Sequence, residues 1–293
     1  MSSATNPKVS VLMSVYNGER FLRDSIESIL KQTFQNFEFL IVNDGSTDRS
    51  REIILSYLNQ RIKLIDNGQN IGLTRALNKG LSLAKGEYIA RMDADDLSLP
   101  ARLEKQAAFL DAHPETGVLG INNWIIDERG DEVRKDNRLI GHEEIMAGLL
   151  SENRFVHSSL MFRKKFLDMQ GYYAEHYPYA QDYELILRLS EVCKLANLPE
   201  YLHKWRENYS TGITVLKRPE QIMVRDKIRR EFLEKHFSPG EEFIKSILGN
   251  LQNNPKDKLL LEYLLRIFNQ PPFSPDHFLL KLKMLYYLVR GWF

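Results

Sequence analysis

Tyr88-Ile89-Ala90-Arg91-Met92 runs directly into Asp93-Ala94-Asp95-Asp96, so a mostly apolar stretch ends in three carboxylates within four residues. A short apolar run bounded by turn residues reads as a buried strand, which puts the acids where that strand leaves its sheet. Crowded carboxylates repel one another, and a divalent cation that takes them as hard oxygen ligands relieves the cost. Magnesium or manganese so held could grip a diphosphate. The plainer reading is an acidic turn into the next helix, with Ser98 as its N-cap and Pro100 in its first turn. The stretch alone leaves both open.

Upstream, strand and helix patterns alternate. Val9 to Val15 reads as a strand ending in Tyr16-Asn17-Gly18-Glu19, and Phe21, Leu22, Ile26, Ile29 and Leu30 follow at helical spacing. Phe37 to Val42 is a second strand, and Asn43-Asp44-Gly45-Ser46-Thr47-Asp48 turns into a helix near Arg49 to Leu58. Arg61 to Ile65 is a third strand, and Asn70-Ile71-Gly72 opens a helix to about Ala84. Strands joined by single helices predict a parallel, Rossmann-like sheet with ligand chemistry at the carboxyl ends of its strands. The loops after strands one, two and four then share one edge. Tyr16, Asn17, Glu19, Asp44, Asp93 and Asp95 are therefore expected to converge there.

Further on, a helix is expected from Pro100 to about Ala112, a strand from Val118 to Ile126, and a hairpin turn over Asp127 to Asp131. Phe155 to Phe162 reads as another strand and Gln181 to Val192 as an amphipathic helix. From Arg218 the pattern is helical, broken by Pro239-Gly240, Asn254-Pro255 and the prolines at 271, 272 and 275.

Composition narrows the class. The 293 residues, 43% apolar and 27% charged, are those of a globular chain of one large or two modest domains. A net charge of +1 offers nucleic acid no bulk attraction. The single cysteine, Cys193, allows no internal disulfide and suits a reducing, cytoplasmic compartment. The polar start Met1-Ser2-Ser3-Ala4-Thr5-Asn6 lacks the apolar core of a secretory signal, and no run reaches the roughly 18 apolar residues of a membrane span.

The ordered set Val11 to Gly18, Ile41 to Asp48, Asn70-Ile71-Gly72, Asn78-Lys79-Gly80, Ala90 to Asp96 and Gln181-Asp182-Tyr183-Glu184-Leu185 resembles the family 2 glycosyltransferases of the GT-A fold, the bacterial kind that builds surface polysaccharides. The resemblance spans about residues 8 to 210. It implies an α/β GT-A fold with residues 1–99 as the nucleotide-sugar-binding half, 100–217 as the acceptor-binding half and 218–293 as a helical extension. It implies an inverting transferase that moves a sugar from a nucleotide-diphospho-sugar, most commonly a UDP-sugar, to a hydroxyl of a saccharide or lipid-linked saccharide.

Carried over by position, the resemblance gives each residue a role. Asp44 accepts a hydrogen bond from the nucleotide base, and Tyr16, Asn17, Glu19 and Gly72 line that donor pocket with Ala94. Asp93 and Asp95 form the motif for Mn2+ or Mg2+, with Asp95 the direct ligand and Asp93 near the ribose or metal; Asp96 is left as a helix-entry or supporting acid. Arg206, in Tyr201-Leu202-His203-Lys204-Trp205-Arg206, meets the diphosphate, since a guanidinium fork suits phosphate oxygens. Relatives often carry a histidine two residues later, where this chain has Asn208, and that puts a histidine contact in doubt. Asp182 is the base for the acceptor hydroxyl, and a carboxylate in the first turn of a helix is favoured as an anion. Asp44 as a plain turn residue and Asp182 as a plain capping acid stay open beside these roles. His157 lines the donor-sugar or acceptor pocket, or is simply a satisfied rim residue.

Three competitors are weaker. A dinucleotide-binding oxidoreductase needs Gly-x-Gly-x-x-Gly after its first strand, where this chain has Tyr16-Asn17-Gly18-Glu19. A sugar-phosphate nucleotidyltransferase lacks its glycine-rich, arginine-containing loop here. A catalytically inactive nucleotide-sugar-binding module would dispense with Asp95 or Asp182, and both are present. The tail Phe278 to Phe293, apolar and cationic without acids, suits either a helix lying in a membrane interface or a packing helix. The first of these makes the protein peripheral to the cytoplasmic membrane face.

Overall fold

The computed structural model describes residues 6–149, 153–207 and 217–236. Strands β1 (Val9–Val15), β2 (Phe37–Asn43), β3 (Ile62–Asp66) and β4 (Tyr88–Asp93) form the expected parallel sheet, in the order β3-β2-β1-β4. Every residue of β1 and β2 is buried, because helices cover both faces. On one face Val11, Met13, Phe39 and Ile41 meet Leu22, Ile26 and Ile29 of α1 (Leu22–Leu30). On the other, Leu12, Leu40 and Val42 meet Ala76, Leu77 and Leu81 of α3 (Leu73–Leu83). Short α2 (Ser50–Leu55) links β2 to β3.

The sheet continues past β4 with reversed polarity. Strand β8 (Met161–Arg163) pairs antiparallel with β4, β6 (Thr116–Ile126) antiparallel with β8, and β9 (Lys194–Arg206) parallel with β6. Two-residue β5 (Leu97–Ser98) pairs antiparallel with β9, and β7 (Glu132–Asp136) closes a hairpin on β6. The sheet is thus continuous across the expected divide at residue 99. Around it lie α4 (Arg102–Ala112), α5 (His142–Leu149), α6 (Lys164–Gln170), α7 (Gln181–Leu189) and α8 (Arg218–His236). Helix α8 sets Ile228 into the α3-side core and ties Lys235 Nζ to Glu191 of the α7 end at 2.8 Å. The tail Phe278 to Phe293 lies outside the described residues. Among the described residues no helix is long and apolar enough to cross a membrane.

Two local expectations differ from what is observed, and one long strand has no counterpart in the sequence pattern. Phe155 to Phe162 is not one strand: His157–Ser159 form a 3-10 turn, because the N–H and Oγ of Ser159 both donate to the carbonyl of Val156, at 3.0 and 2.9 Å. Ser98 does not cap a helix. It belongs to β5, its N–H donates to Ser28 Oγ at 3.0 Å, and Ala101 occupies the N-cap of α4. Long β9 shows no continuous strand pattern because Pro199 interrupts it, and register shifts at Ile121 to Asn123 of β6 absorb the interruption.

At the edge of the sheet opposite the acidic loop, Glu38 is 4% exposed. Its carboxylate accepts from Ser10 Oγ at 2.7 Å, Lys85 N at 2.8 Å and Lys63 Nζ at 2.5 Å. Burial opposes its charge, but these donors outweigh burial and hold the carboxyl below its usual range. A depressed acid stabilises the fold above its unfolded pKa and loses that contribution as pH falls through the lower, folded value. Glu38→Gln should therefore cost about 1–3 kcal/mol at pH 7 in urea unfolding. The gap from wild type should narrow as pH drops below the usual glutamate value of 4.5.

Candidate active site

The register brings the loops to one rim. Ser14 of β1 lies beside Asp93 of β4, and Val15 beside Asn43 of β2. The chain segments after β1, β2 and β4 therefore leave the sheet side by side, with Asp44 and Asp93 two strand spacings apart, about 10 Å. The expected convergence is met at this edge.

Each loop is built by side chains that satisfy the backbone of its neighbour. Asn17, at φ 52°, accepts on Oδ1 from Thr47 N at 2.8 Å, and its own N–H donates to Ser46 Oγ at 3.0 Å. Glu19 Oε2 accepts from Arg49 N at 3.0 Å, and Glu19 N donates to Asp48 Oδ2 at 2.9 Å. Asn17 and Glu19 thus lace the first loop to the second, while Tyr16 stands 51% exposed beside them. Asp44 is 2% exposed and accepts on Oδ1 from Asn67 Nδ2 at 2.8 Å and Ile71 N at 3.0 Å, and on Oδ2 from Gly72 N at 3.0 Å. Two glycines make this possible. Gly72 sits at φ 88° and ψ 150°, a conformation open essentially to glycine alone. Gly45 sits at φ 72°, where a Cβ would fall 2.3 Å from the Gln69 carbonyl carbon.

In the acidic loop, oxygen atoms of Asp93, Asp95 and Asp96 lie within 4.8 Å of one another. The three carboxylates differ in surroundings. Asp93 Oδ1 takes a 2.5 Å bond from Arg91 Nη2. Burial works against its charge, yet the Arg91 guanidinium prevails and keeps its pKa low. Asp95 is half-buried, and burial together with the Asp96 and Asp93 charges pushes its pKa up to about 8. No other described side chain donates to its carboxylate. Asp96 is wholly buried and pushed up to about 7, by burial first and Asp93 second. It does not enter a helix, since β5 intervenes.

Arg206 is 5% exposed and is already engaged. Its backbone N–H donates to Asp96 Oδ1 at 2.7 Å, Nε to the Asp95 carbonyl at 2.8 Å, and Nη1 to the Asp127 carbonyl at 2.8 Å. Its guanidinium lies 4.3 Å from the Phe21 ring centre. Ala94 gives its carbonyl to Ser25 Oγ at 2.9 Å. Arg206 thus braces the acidic loop from β9.

Asp182 stands in the first turn of α7, which Ala180 opens at φ 55°. Its Oδ2 accepts from Asn153 Nδ2 at 2.7 Å. Burial and the Arg91 charge push the His157 pKa down to about 4, against the opposing charges of Asp182 and Asp93. The imidazole is therefore neutral at pH 7, and its Nε2 shares a 2.7 Å hydrogen bond with the Tyr173 hydroxyl. Burial raises the Tyr173 phenol well above its usual range, and it too feels Asp182 and Asp93. Backbone groups of Tyr173 bond Asn78 of α3 in both directions, at 3.0 and 2.9 Å. Asn153, Tyr173, Ser158 and His203 carry no local sign of a role in the sequence. Nothing in composition or spacing marks them, because their partners lie far away in the chain.

Residues 10–171 match the model of the glycosyl transferase family 2. The chain belongs to that family. As a family 2 glycosyltransferase it is 34% identical over 251 residues to the O-antigen biosynthesis glycosyltransferase WbnJ of Escherichia coli, covering 82% of this chain and 96% of that one. Among solved structures, TarS 1–349 of S. aureus in complex with UDP-GlcNAc superposes with a TM-score of 0.60 at 22% identity, over 90% of this chain and 82% of that one. The mannosyltransferase PcManGT of Pyrobaculum calidifontis, in complex with GDP-Man and Mn2+, gives 0.57 at 16%, over 98% and 76%. These likenesses are of fold, and the architecture of this glycosyltransferase is accordingly GT-A.

Asp44→Ala should free the segment after β3 while the sheet persists. Amide exchange at Ile71 and Gly72 should quicken by an order of magnitude or more, alongside a stability loss of about 1–3 kcal/mol. Unchanged exchange at those two amides would remove Asp44 as the organiser of this rim.

Proposed function

We propose that this glycosyltransferase moves a sugar from a nucleotide-diphospho-sugar to a hydroxyl of a saccharide or lipid-linked saccharide, inverting the anomeric centre, in making a cell-surface polysaccharide. The observation that carries the reading is the rim itself: carboxylate oxygens of Asp93, Asp95 and Asp96 lie within 4.8 Å of one another where β4 leaves the sheet, beside the loop that Asp44 organises. WbnJ supports the polysaccharide class, and the UDP-GlcNAc and GDP-Man held by TarS and PcManGT support the donor class.

The donor base lies against Asp44, whose Oδ2 keeps a lone pair beyond the one Gly72 uses. Tyr16 offers an exposed ring beside it, while Asn17, Glu19, Gly72 and Ala94 shape the walls. The diphosphate meets the acidic loop. The loop fits a divalent cation, since Asp93 and Asp95 offer hard oxygen ligands and the mutual repulsion of three carboxylates within 4.8 Å is relieved by a dication beside them. Asp95 and Asp93 would hold it, and Mn2+ or Mg2+ bound there supplies positive charge against the departing diphosphate.

Asp182 takes the proton of the acceptor hydroxyl as its oxygen bonds the anomeric carbon and the bond to the diphosphate oxygen breaks. One displacement of this kind inverts configuration. Asn153 orients Asp182, and His157, neutral and held by Tyr173, lines the sugar between base and donor. Arg206 serves the diphosphate by holding the loop. Residues 1–99 then form the donor half, 100–217 the acceptor half, and 218–293 an extension. The single cysteine fits a cytoplasmic site of action.

A thermal-shift screen of UDP, GDP and dTDP with and without Mn2+ should show one nucleotide raising the melting temperature by several degrees only with the metal. Asp95→Ala should lose that shift. Asp182→Asn should keep it, while release of nucleoside diphosphate in the presence of acceptor falls at least about 10²-fold. Normal turnover by Asp182→Asn would remove the base assignment.

A further inference from the structure

Of the three acids in the loop, Asp96 is the one whose oxygens are both occupied. Oδ1 accepts from Arg206 N at 2.7 Å, and Oδ2 lies 3.0 Å from His203 Nε2. His203 is itself fully buried, and the same Nε2 lies 3.1 Å from Ser158 Oγ. Serine, histidine and aspartate together invite a hydrolytic reading, which the geometry excludes. Ser158 and Asp96 meet the same ring nitrogen, the other nitrogen, Nδ1, is buried without a partner, and Ser158 is 1% exposed.

The contacts instead form a brace. Backbone pairing sets Ser98 beside His203 and Leu97 beside Lys204. Arg206 Nε holds the Asp95 carbonyl, and from beneath Ser25 Oγ meets the carbonyls of Ala94 and Asp96 at 2.9 and 2.7 Å. With the Asp96 carboxylate and the peptides on both sides of Asp95 tied down, the Asp95 carboxylate is the free end of a fixed segment. A buried acid–imidazole pair is a poor source of stability, since desolvation offsets the attraction, so its value lies in what it orients.

We propose that His203 and Asp96 are positioning residues: Asp96 is no cation ligand, and His203, acting through it, aims Asp95 at the cation and diphosphate of the donor. This rests on the donor reading given above. The test uses the full chain with UDP and GDP as probes, in calorimetric titrations with and without Mn2+, and Mn2+ binding read by electron paramagnetic resonance. His203→Ala should fold by circular dichroism yet bind the preferred Mn2+–nucleotide about tenfold more weakly, the usual effect of losing a partner behind a metal ligand. His203→Gln, which restores an N–H donor, should recover most of that loss. Asp96→Asn keeps the shape of the side chain, and should fall by a similar factor while Asp95→Ala loses Mn2+ dependence altogether.

A His203→Ala affinity within twofold of wild type would overturn the inference alone. So would an Asp96→Asn loss as complete as that of Asp95→Ala, which would make Asp96 a ligand. Should His203→Ala not fold, the Asp96→Asn comparison decides. Absence of any Mn2+-dependent nucleotide binding by wild type would overturn the donor reading and this inference together.

Discussion

The in-register parallel pairing of β1 with β2 on one side and β4 on the other is the constraint on which the site depends. Parallel strands must leave a sheet in one direction, so three loops far apart in sequence emerge next to one another. A one-residue slip would turn every side chain of β1 to the opposite face, exchanging the set that packs on α1 with the set that packs on α3. Burial on both faces therefore fixes the register, and the register fixes the rim.

Polar chemistry completes what the apolar core begins. Asp44 gathers the backbone N–H groups of Ile71 and Gly72, and Asn17 and Glu19 do the same for the turn after β2. These bonds cross between loops, so each loop is ordered by its neighbour. The acidic loop lies at the centre of this arrangement. Arg91 answers Asp93, β9 answers Asp96, and Asp95 is left with a raised pKa and no answering side chain among the described residues. This family 2 glycosyltransferase crowds carboxyl groups where its donor's diphosphate is proposed to bind, and the crowding makes their charged state costly, a cost that a dication would relieve.

Much of this was legible in the chain itself, for a physical reason. Strands β1, β2 and β4 are buried on both faces and short, so their apolar runs and polar ends appear directly in the sequence, and Asp44 and Asp93 follow at the ends. Legibility failed where long-range partners override local pattern. Pro199 disguised β9, Ser159 folded part of an apparent strand into a 3-10 turn, and His203 gives no local sign that it braces an aspartate 107 positions away. The resemblance gives Arg206 a place at the diphosphate, and only the folded chain shows that its backbone N–H, Nε and Nη1 also hold three groups of this chain. Asp182 stands out only through the family resemblance, and only the folded chain shows Asn153 beside it.

The central claim is that the Asp93–Asp95 rim is where a cation and a nucleotide diphosphate meet. Crystals grown with Mn2+ and the preferred nucleoside diphosphate, measured at the manganese absorption edge, test it directly. The account predicts an anomalous peak about 2.1 Å from an Asp95 carboxylate oxygen, with the diphosphate on its far side and the base toward Asp44. A nucleotide bound with its phosphates away from Asp95, or manganese seated elsewhere on the protein, would contradict it.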